Sequence, residues 1–284
     1  MAHALVTGGT GFVGSQLIHQ LVSQGWQVTA LHRSQSSDES IVAAGAVPVP
    51  FSSPREAGLR AAEARPDTLF HLATHQQKTW DADDIDTFVE ANVSLGAHLL
   101  RGVSTSPCVV VNAMSYFQYR HSAPHAFSLY SATKQAYAEI SRYFRDVERM
   151  DIRDVVLFDN YGAHDSRPKL INSIIDSLRS GTPLAMGPAA QPINALHVSD
   201  VALGLIAAAA PGNPARMTVK ADHDSTVAQI VDELERIAGT TLDKSFADQV
   251  APNDMVESAG DWPHPLDWRA RLSLAEGLAL AYGS

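Results

Sequence analysis

Tyr130 and Lys134 stand four residues apart in Tyr130-Ser131-Ala132-Thr133-Lys134. On a helix this spacing puts a phenol and an ammonium on one face, one turn apart. A neighbouring cation favours phenolate and brings a tyrosine towards the range where it can move protons. Such a tyrosine can protonate a carbonyl oxygen as hydride reaches the carbon, or take a hydroxyl proton in the reverse direction. Lys134 could also hold a ribose hydroxyl. The spacing alone says little, and its weight comes from position. It opens a long helical segment after an apolar strand that runs out through Val111-Asn112-Ala113-Met114-Ser115-Tyr116. A hydroxyl or amide there would reach a substrate carbonyl at the carboxyl edge of a sheet. Ser115 is the first candidate and Asn112 the second, against the plain reading of a serine that caps its own turn.

A second constellation lies at the amino end. Thr7-Gly8-Gly9-Thr10-Gly11-Phe12-Val13-Gly14 follows one apolar run and opens a helical pattern. In that place Gly8 allows a tight turn, Gly11 lets backbone approach a pyrophosphate, and Gly14 lets helix and strand pack closely. The helix N-terminus then faces the diphosphate charge. The second strand ends Leu31-His32-Arg33-Ser34, with no carboxylate for ribose hydroxyls. Arg33 is placed to meet a 2′-phosphate, so the expected cofactor is NADP(H) before NAD. The competing reading is a solvated arginine stacked on the adenine.

The elements that must position these residues alternate. Ala4-Leu5-Val6, Val28 to Leu31, Ala46 to Val49, Thr68 to Leu72, Val109 to Val111 and Val155 to Phe158 read as buried strands. Between them, Val13 to Val22, Arg55 to Ala64, Asp83 to Leu100 and Tyr130 to Val147 read as helices. Strands separated by such helices imply βαβ units, so the expected fold is α/β, a Rossmann-type doubly wound parallel sheet with a smaller C-terminal substrate-binding lobe. Residues 1–160 are assigned to the dinucleotide domain, with 195–210 packing back onto it, and 161–284 mainly to the second lobe. There, prolines and glycines punctuate short pieces. Helices are expected at Val201 to Ala210, Val227 to Ile237 and Leu272 to Ala281, with a loop at Pro252 to Pro265.

The chain has 284 residues, 45% apolar and 18% charged, with a net charge of −10. That balance is globular and argues against nucleic acid and anionic membranes as partners. No apolar run reaches spanning length, and no targeting segment is visible, so a cytoplasmic location is expected. The single cysteine, Cys108, reads as a buried structural thiol. The twelve histidines show no ligand spacing with a carboxylate, and no metal site is expected. Arg167 and Lys169 form a small basic patch at the start of the second lobe that could hold a diphosphate, unless it is an ordinary solvated loop.

Taken together, Gly-Gly-Thr-Gly-Phe-Val-Gly, His71-Leu72-Ala73, Asn92-Val93, the Tyr130–Lys134 pentapeptide, Phe158-Asp159-Asn160-Tyr161-Gly162, His197-Val198-Ser199-Asp200-Val201 and the tail from Trp268 to Leu278 resemble the extended short-chain dehydrogenases/reductases that act on nucleotide sugars. The resemblance spans nearly the whole chain. Asp159-Asn160-Tyr161-Gly162 with Asp165, Arg167, Pro168 and Lys169 is similar to the branch of CDP-abequose and CDP-paratose synthases, NADPH-dependent 4-ketoreductases of deoxyhexoses. The resemblance implies Tyr130 as acid/base, Lys134 on the ribose and Ser115 on the carbonyl. It implies cofactor contacts from the glycine loop (Gly8, Thr10, Gly11, Phe12, Val13, Gly14), from His32 and Arg33, and from Leu72, Ala73, Thr74, Asn92 and Phe158. It implies substrate contacts from Ser115, Asp159, Asn160, Arg167, Lys169, Gln191 and Asn194, and a homodimer through the two long helices; His75 joins the substrate candidates by its position just past the fourth strand. Several positions depart from the pattern. The family's serine-rich stretch is thinned to Asn112-Ala113-Met114-Ser115, and the loop from Ser115 to Tyr130 is shorter than in epimerases. Tyr116-Phe117 stands where 4,6-dehydratases carry Asp-Glu, and Asp159 where epimerases have Asn. The expected activity is NADPH-dependent reduction of the 4-keto group of a nucleotide-linked keto-deoxyhexose. An epimerase that retains NAD is the runner-up, and a catalytically silent NADP(H)-sensing protein is the alternative of another class.

Overall fold

The computed structural model describes residues 1–120, 123–165, 167–249 and 262–283. In chain order the first elements are β1 (His3–Thr7), α1 (Phe12–Ser23), β2 (Gln27–Arg33), α2 (Glu39–Ala43), β3 (Val47–Phe51), α3 (Pro54–Ala64), β4 (Thr68–His71), α4 (Asp84–Val89), α5 (Leu95–Val103) and β5 (Val109–Ser115). A short hairpin, β6 (Tyr119–Arg120) and β7 (Ala123–Pro124), leads to α6 (Leu129–Asp146) and β8 (Ile152–Leu157). There follow β9 (Asp159–Tyr161), α7 (Leu170–Ser180), β10 (Leu184–Met186), β11 (Pro192–Ile193), β12 (Ala195–His197), α8 (Val198–Ala208), β13 (Arg216–Val219), β14 (Ser225–Thr226), α9 (Val227–Ala238), β15 (Lys244–Phe246) and α10 (Leu274–Tyr282).

Two compact units emerge. One comprises Met1–Leu157, Ala202–Val219 and Ala259–Trp268; the other comprises Phe158–Val201, Lys220–Ser258 and Arg269–Ser284. The first unit is built on a seven-stranded sheet in the order β13-β8-β5-β4-β1-β2-β3, and every pairing is parallel. The chain winds outward from β1 to β2 and β3, then crosses back to β4 and continues through β5 and β8. The order therefore reverses between β1 and β4, where a doubly wound sheet opens its binding crevice. Ala4, Leu5, Val6, Leu69, Phe70, Val110, Val111, Val155 and Val156 are fully buried, as strands covered on both faces require.

Local chemistry sets the helix ends. Ser53 caps α3, its hydroxyl accepting from Glu56 N, with Pro54 in the first turn. Ser128 and Ser131 form a reciprocal capping box at the start of α6. Arg153, buried on β8, donates to the carbonyls of Ala208 and Ala210 and so satisfies the C-terminal end of α8, while Asp151 holds its other nitrogens at 2.8–3.0 Å. Cys108 is buried before β5, and burial pushes its thiol up to about 12.

The second unit has its own core. Ile171, Ile174, Ile175 and Leu178 of α7 pack with Val227, Ile230, Val231 and Leu234 of α9 and with Leu278 and Ala281 of α10. Flanking Pro168, Gly181 and Pro183 mask α7 in the sequence pattern. Yet its apolar residues recur at helical spacing, and Gly181 closes it with a left-handed cap. The strand β13 leaves little mark in the sequence, since Met217-Thr218-Val219 is too short to stand out. The expected single helix from Asp83 to Leu100 is interrupted by a π-helical turn over Glu90–Ser94. The expected loop at Pro252 to Pro265 lies mostly outside the described residues. No described helix is long and apolar enough to cross a membrane.

Candidate active site

The glycine loop follows β1 at the reversal point. Gly8 has φ +75°, and a Cβ there would come within 2.7 Å of Ala73 N. A Cβ on Gly14 would lie 2.0 Å from the Gly8 carbonyl oxygen, so the first turn of α1 packs directly on the loop backbone. Gly11 caps α1 without a side-chain hydrogen bond, and the first turn holds no acid. An uncapped helix N-terminus beside a glycine cradle fits a pyrophosphate. At the end of β2 the Arg33 guanidinium is exposed, with no protein partner among the described residues. His32 is buried. Its Nδ1 lies 3.2 Å from the Arg33 carbonyl oxygen, and its Nε2 is unpartnered. The residues present therefore fit a dinucleotide.

At the carboxyl edge, β5 ends on Ser115. Its backbone N–H donates to Gln118 Oε1 at 2.9 Å, and its Oγ accepts from Phe117 N at 3.3 Å. Both halves of a capping box are present, so the serine does cap its own turn. Its hydroxyl proton has no protein acceptor among the described residues. The capping bond fills an acceptor position and leaves the donor function available. Gln118 was not singled out, although a serine followed three residues later by glutamine is a legible capping signature.

Tyr130 and Lys134 lie in the first two turns of α6, and both are buried. Lys134 Nζ donates to the Ala113 carbonyl oxygen at 2.6 Å. An ammonium has three protons, so two remain without a protein acceptor among the described residues. Burial pulls the Lys134 ammonium down to about 8, against the opposing charge of Asp154. His71 faces the same region. Its Nδ1 lies 2.8 Å from Thr7 Oγ1, and burial, aided by the Lys134 charge, holds it down to about 3, so it is neutral.

Asn92 sits in the π-helical turn and is spent on the protein. Its Oδ1 accepts from Thr74 Oγ1 at 2.9 Å and His75 N at 2.6 Å, while Nδ2 donates to the His75 carbonyl and Thr133 Oγ1, each at 2.9 Å. It thereby clamps the segment after β4 to α6. Whatever Asn92 does for a cofactor passes through that segment, which carries Leu72, Ala73 and Thr74. π-Turns are frequent at such functional positions. The His75 ring packs edge-on against Phe88, and its Nε2 lies 3.2 Å from Gln77 Oε1. Asn112 is also fully engaged inside the sheet, by Tyr137, Ser141 and Asp154. Of the two candidates on β5, Ser115 keeps a donor with no acceptor among the described residues and Asn112 does not.

The second unit carries the other expected residues. Arg167 grips Asp165 with two bonds of 2.6 and 2.7 Å and donates to Asn160 Oδ1 at 2.8 Å. Burial pushes the Asp165 carboxyl up, but the Arg167 guanidinium outweighs it and holds the group below the usual range. Burial, then Arg167, lowers Lys169. The basic patch is thus a braced loop: Arg167 is already partnered, and Lys169 carries the remaining cation beside Asp159. Asn194 ties β11 to the chain after β13, its Nδ2 donating to the Ala221 carbonyl and Asp224 Oδ1 and its Oδ1 accepting from Ala221 N. Gln191 starts β11's approach, its carbonyl accepting from Val227 N. Phe158 lies under Lys220, whose Nζ is 5.5 Å from the ring centre.

A parallel sheet with a glycine-lined reversal point, and a buried tyrosine and lysine on the helix after its fifth strand, define a Rossmann-type protein of the extended short-chain dehydrogenase/reductase superfamily. Residues 4–218 match the profile of the NAD dependent epimerase/dehydratase family, and the chain belongs to that family. It is 23% identical over 200 residues to CDP-abequose synthase of Yersinia pseudotuberculosis, covering 69% of each chain. It is 27% identical over 223 residues to a 4-hydroxy-2-methyl-3-oxo-4-farnesyl-3,4-dihydroquinoline-1-oxide ketoreductase of Stigmatella aurantiaca, covering 73% of this chain and 64% of that one. A stretch of 73 residues is 40% identical to the decarboxylating sterol-4-alpha-carboxylate 3-dehydrogenase of Dictyostelium discoideum, spanning 26% of this chain and 22% of that protein. The fold is that of UDP-glucuronic acid 4-epimerase from Bacillus cereus, solved with UDP-glucuronic acid and NAD (TM-score 0.84, 18% identity, 99% and 98% of the chains).

Proposed function

We propose that this protein is an NADPH-dependent reductase of the 4-keto group of a nucleotide-linked keto-deoxyhexose. The observation that carries the reading is the arrangement at the β5 edge: a serine whose hydroxyl proton has no acceptor among the described residues, and a buried tyrosine and lysine on the helix that follows. The bound dinucleotide would supply hydride at its nicotinamide ring. Tyr130 gives its phenolic proton to the carbonyl oxygen, and Lys134 lowers the cost of the phenolate left behind. Ser115 donates to the same oxygen and orients it. Lys134, with two protons unspent among the described residues, also holds a ribose hydroxyl. Arg33, exposed and without a partner among the described residues, favours a 2′-phosphate, which supports NADP(H) over the NAD bound by the structural relative. In the second unit, Lys169 and the Arg167–Asn160 brace, with Gln191 and Asn194 holding neighbouring strands, serve the sugar-nucleotide diphosphate. Exposed Ile85, Val89 and Tyr143 on the long helices suit a homodimer, which sedimentation would show.

The test is direct. Purified protein should oxidise NADPH only when a nucleotide-linked 4-keto-6-deoxyhexose is added. Isolation with a full complement of tightly bound NAD, and interconversion of 4-hydroxyl epimers without added cofactor, would instead establish the epimerase reading. That second reading is favoured by the structural relatives.

A further inference from the structure

Five polar side chains stand in one register row across the sheet. Thr7 of β1 pairs with His71 of β4, His71 with Asn112 of β5, Asn112 with Asp154 of β8, and Asp154 with Arg216 of β13. Residues in register on parallel strands present their side chains to the same face. Asp154 is 1% exposed and Asn112 fully buried. The helix α6 covers this face. The Tyr137 hydroxyl donates to Asn112 Oδ1 at 2.8 Å, and Asn112 Nδ2 donates to Ser141 Oγ and Asp154 Oδ1, each at 3.0 Å. Ser141 Oγ donates to the same carboxylate oxygen at 3.2 Å, and Arg145 Nη1 reaches the other at 3.1 Å. A buried carboxylate is expensive even when paired, and apolar residues would fill the space at lower cost. Nothing in the proposed reaction uses it.

Its purpose lies one residue along β5. The carbonyl that holds Lys134 Nζ belongs to Ala113, the neighbour of Asn112. The titratable and charged groups around that ammonium are His71 from β4, Tyr130 and Tyr137 from α6 and Asp154 from β8, with Arg145 and Arg216 behind the carboxylate. His71 is neutral, and burial holds the Tyr137 phenol well above its ordinary range, so it is neutral too. Arg216 is engaged by the rings of Tyr119 and Trp262, at 5.6 and 5.4 Å. Asp154 is the one carboxylate of this set, and its charge favours the Lys134 ammonium.

We propose that Asp154 is a positioning residue for the Tyr130–Lys134 pair: through Asn112 it fixes the strand carbonyl that seats Lys134, and its buried charge, divided between Lys134 and Arg145, sets how firmly that lysine keeps its proton. The catalytic meaning of the inference rests on the reading of Tyr130 and Lys134 given above; its test does not.

The chain has five lysines, so selective isotope labelling of lysine in the full protein gives few signals, with Lys134 assigned by its loss in Lys134→Met. Asp154→Asn keeps shape and hydrogen bonding while removing the charge. It should lower the Lys134 titration midpoint by roughly half to one pH unit. Arg145→Met leaves the carboxylate unshared and should raise the midpoint. Opposite signs are the signature of charge. Unchanged midpoints, or shifts of the same sign in both variants, overturn the proposal, the latter by showing general loosening. If Asp154→Asn does not fold, the upward shift in Arg145→Met decides alone. If the midpoints move as expected while Lys134→Met leaves cofactor affinity and turnover intact, the inference stands and the catalytic reading of the pair falls.

Discussion

Tyr130 and Ser115 make separable contributions, and kinetics distinguishes them. Tyr130→Phe should cut kcat by about 10²–10⁴-fold with dinucleotide affinity nearly unchanged, because only the proton donor is removed. Ser115→Ala should cost less in kcat and should also loosen the turn it caps. Both are read by steady-state assay alongside fluorescence titration of NADPH. His71 makes a prediction about stability. Its folded-state pKa, about 3, lies below the ordinary 6.5. A depressed pKa contributes stability that is present above 6.5 and is lost as pH falls towards 3, since the unfolded chain takes the proton first. Acid unfolding should therefore steepen below pH 6.5 by up to ~1.4 kcal/mol per pH unit from this group. His71→Gln should flatten that slope in urea melts collected across the pH range.

Helices and strands decide whether these groups meet. Gly14→Ala has no room, since its methyl would occupy space held by the Gly8 carbonyl. The loop must shift, so the variant should fold but lose at least tenfold in dinucleotide affinity, measured by calorimetry. Arg153→Met removes the buried guanidinium from the end of α8, leaving only Asn213 Nδ2 as a side-chain donor to those carbonyls among the described residues, and should cost about 1–3 kcal/mol in denaturant melts. At this scale much was legible from residues alone. The glycine loop, the strand–helix alternation through β8 and the α6 pair follow from periodicity and punctuation. The π-turn did not. One extra residue per turn leaves no mark on an apolar pattern, and only hydrogen bonding reveals that Asn92 works as a clamp. The charge row was hidden for a related reason. Thr7, His71, Asn112 and Asp154 are far apart in the chain and become neighbours only through strand register. Asp165 likewise neutralises Arg167, which the sequence presented as a bare cation.

At the scale of the molecule, binding and stability are linked. NADPH at a hundred times its dissociation constant should add ~2.7 kcal/mol and raise Tm visibly, while NAD at the same concentration should do less. Equal shifts would remove the case for Arg33 as the discriminating residue. Residues 202–219 belong with the first unit, so the expected return of 195–210 to it holds from 202 onward and runs on to 219, because β13 joins the main sheet and α8 leads into it. A strand of four residues, contributed after a long excursion, is invisible to composition. Finally, the chain has one cysteine, and that thiol is buried with its proton held up to about 12. Maleimides and spin labels should pass it by at neutral pH. The natural protein is therefore a silent background: a single cysteine introduced on each unit would report the distance between them, with and without ligand, and no native residue would need to be removed first.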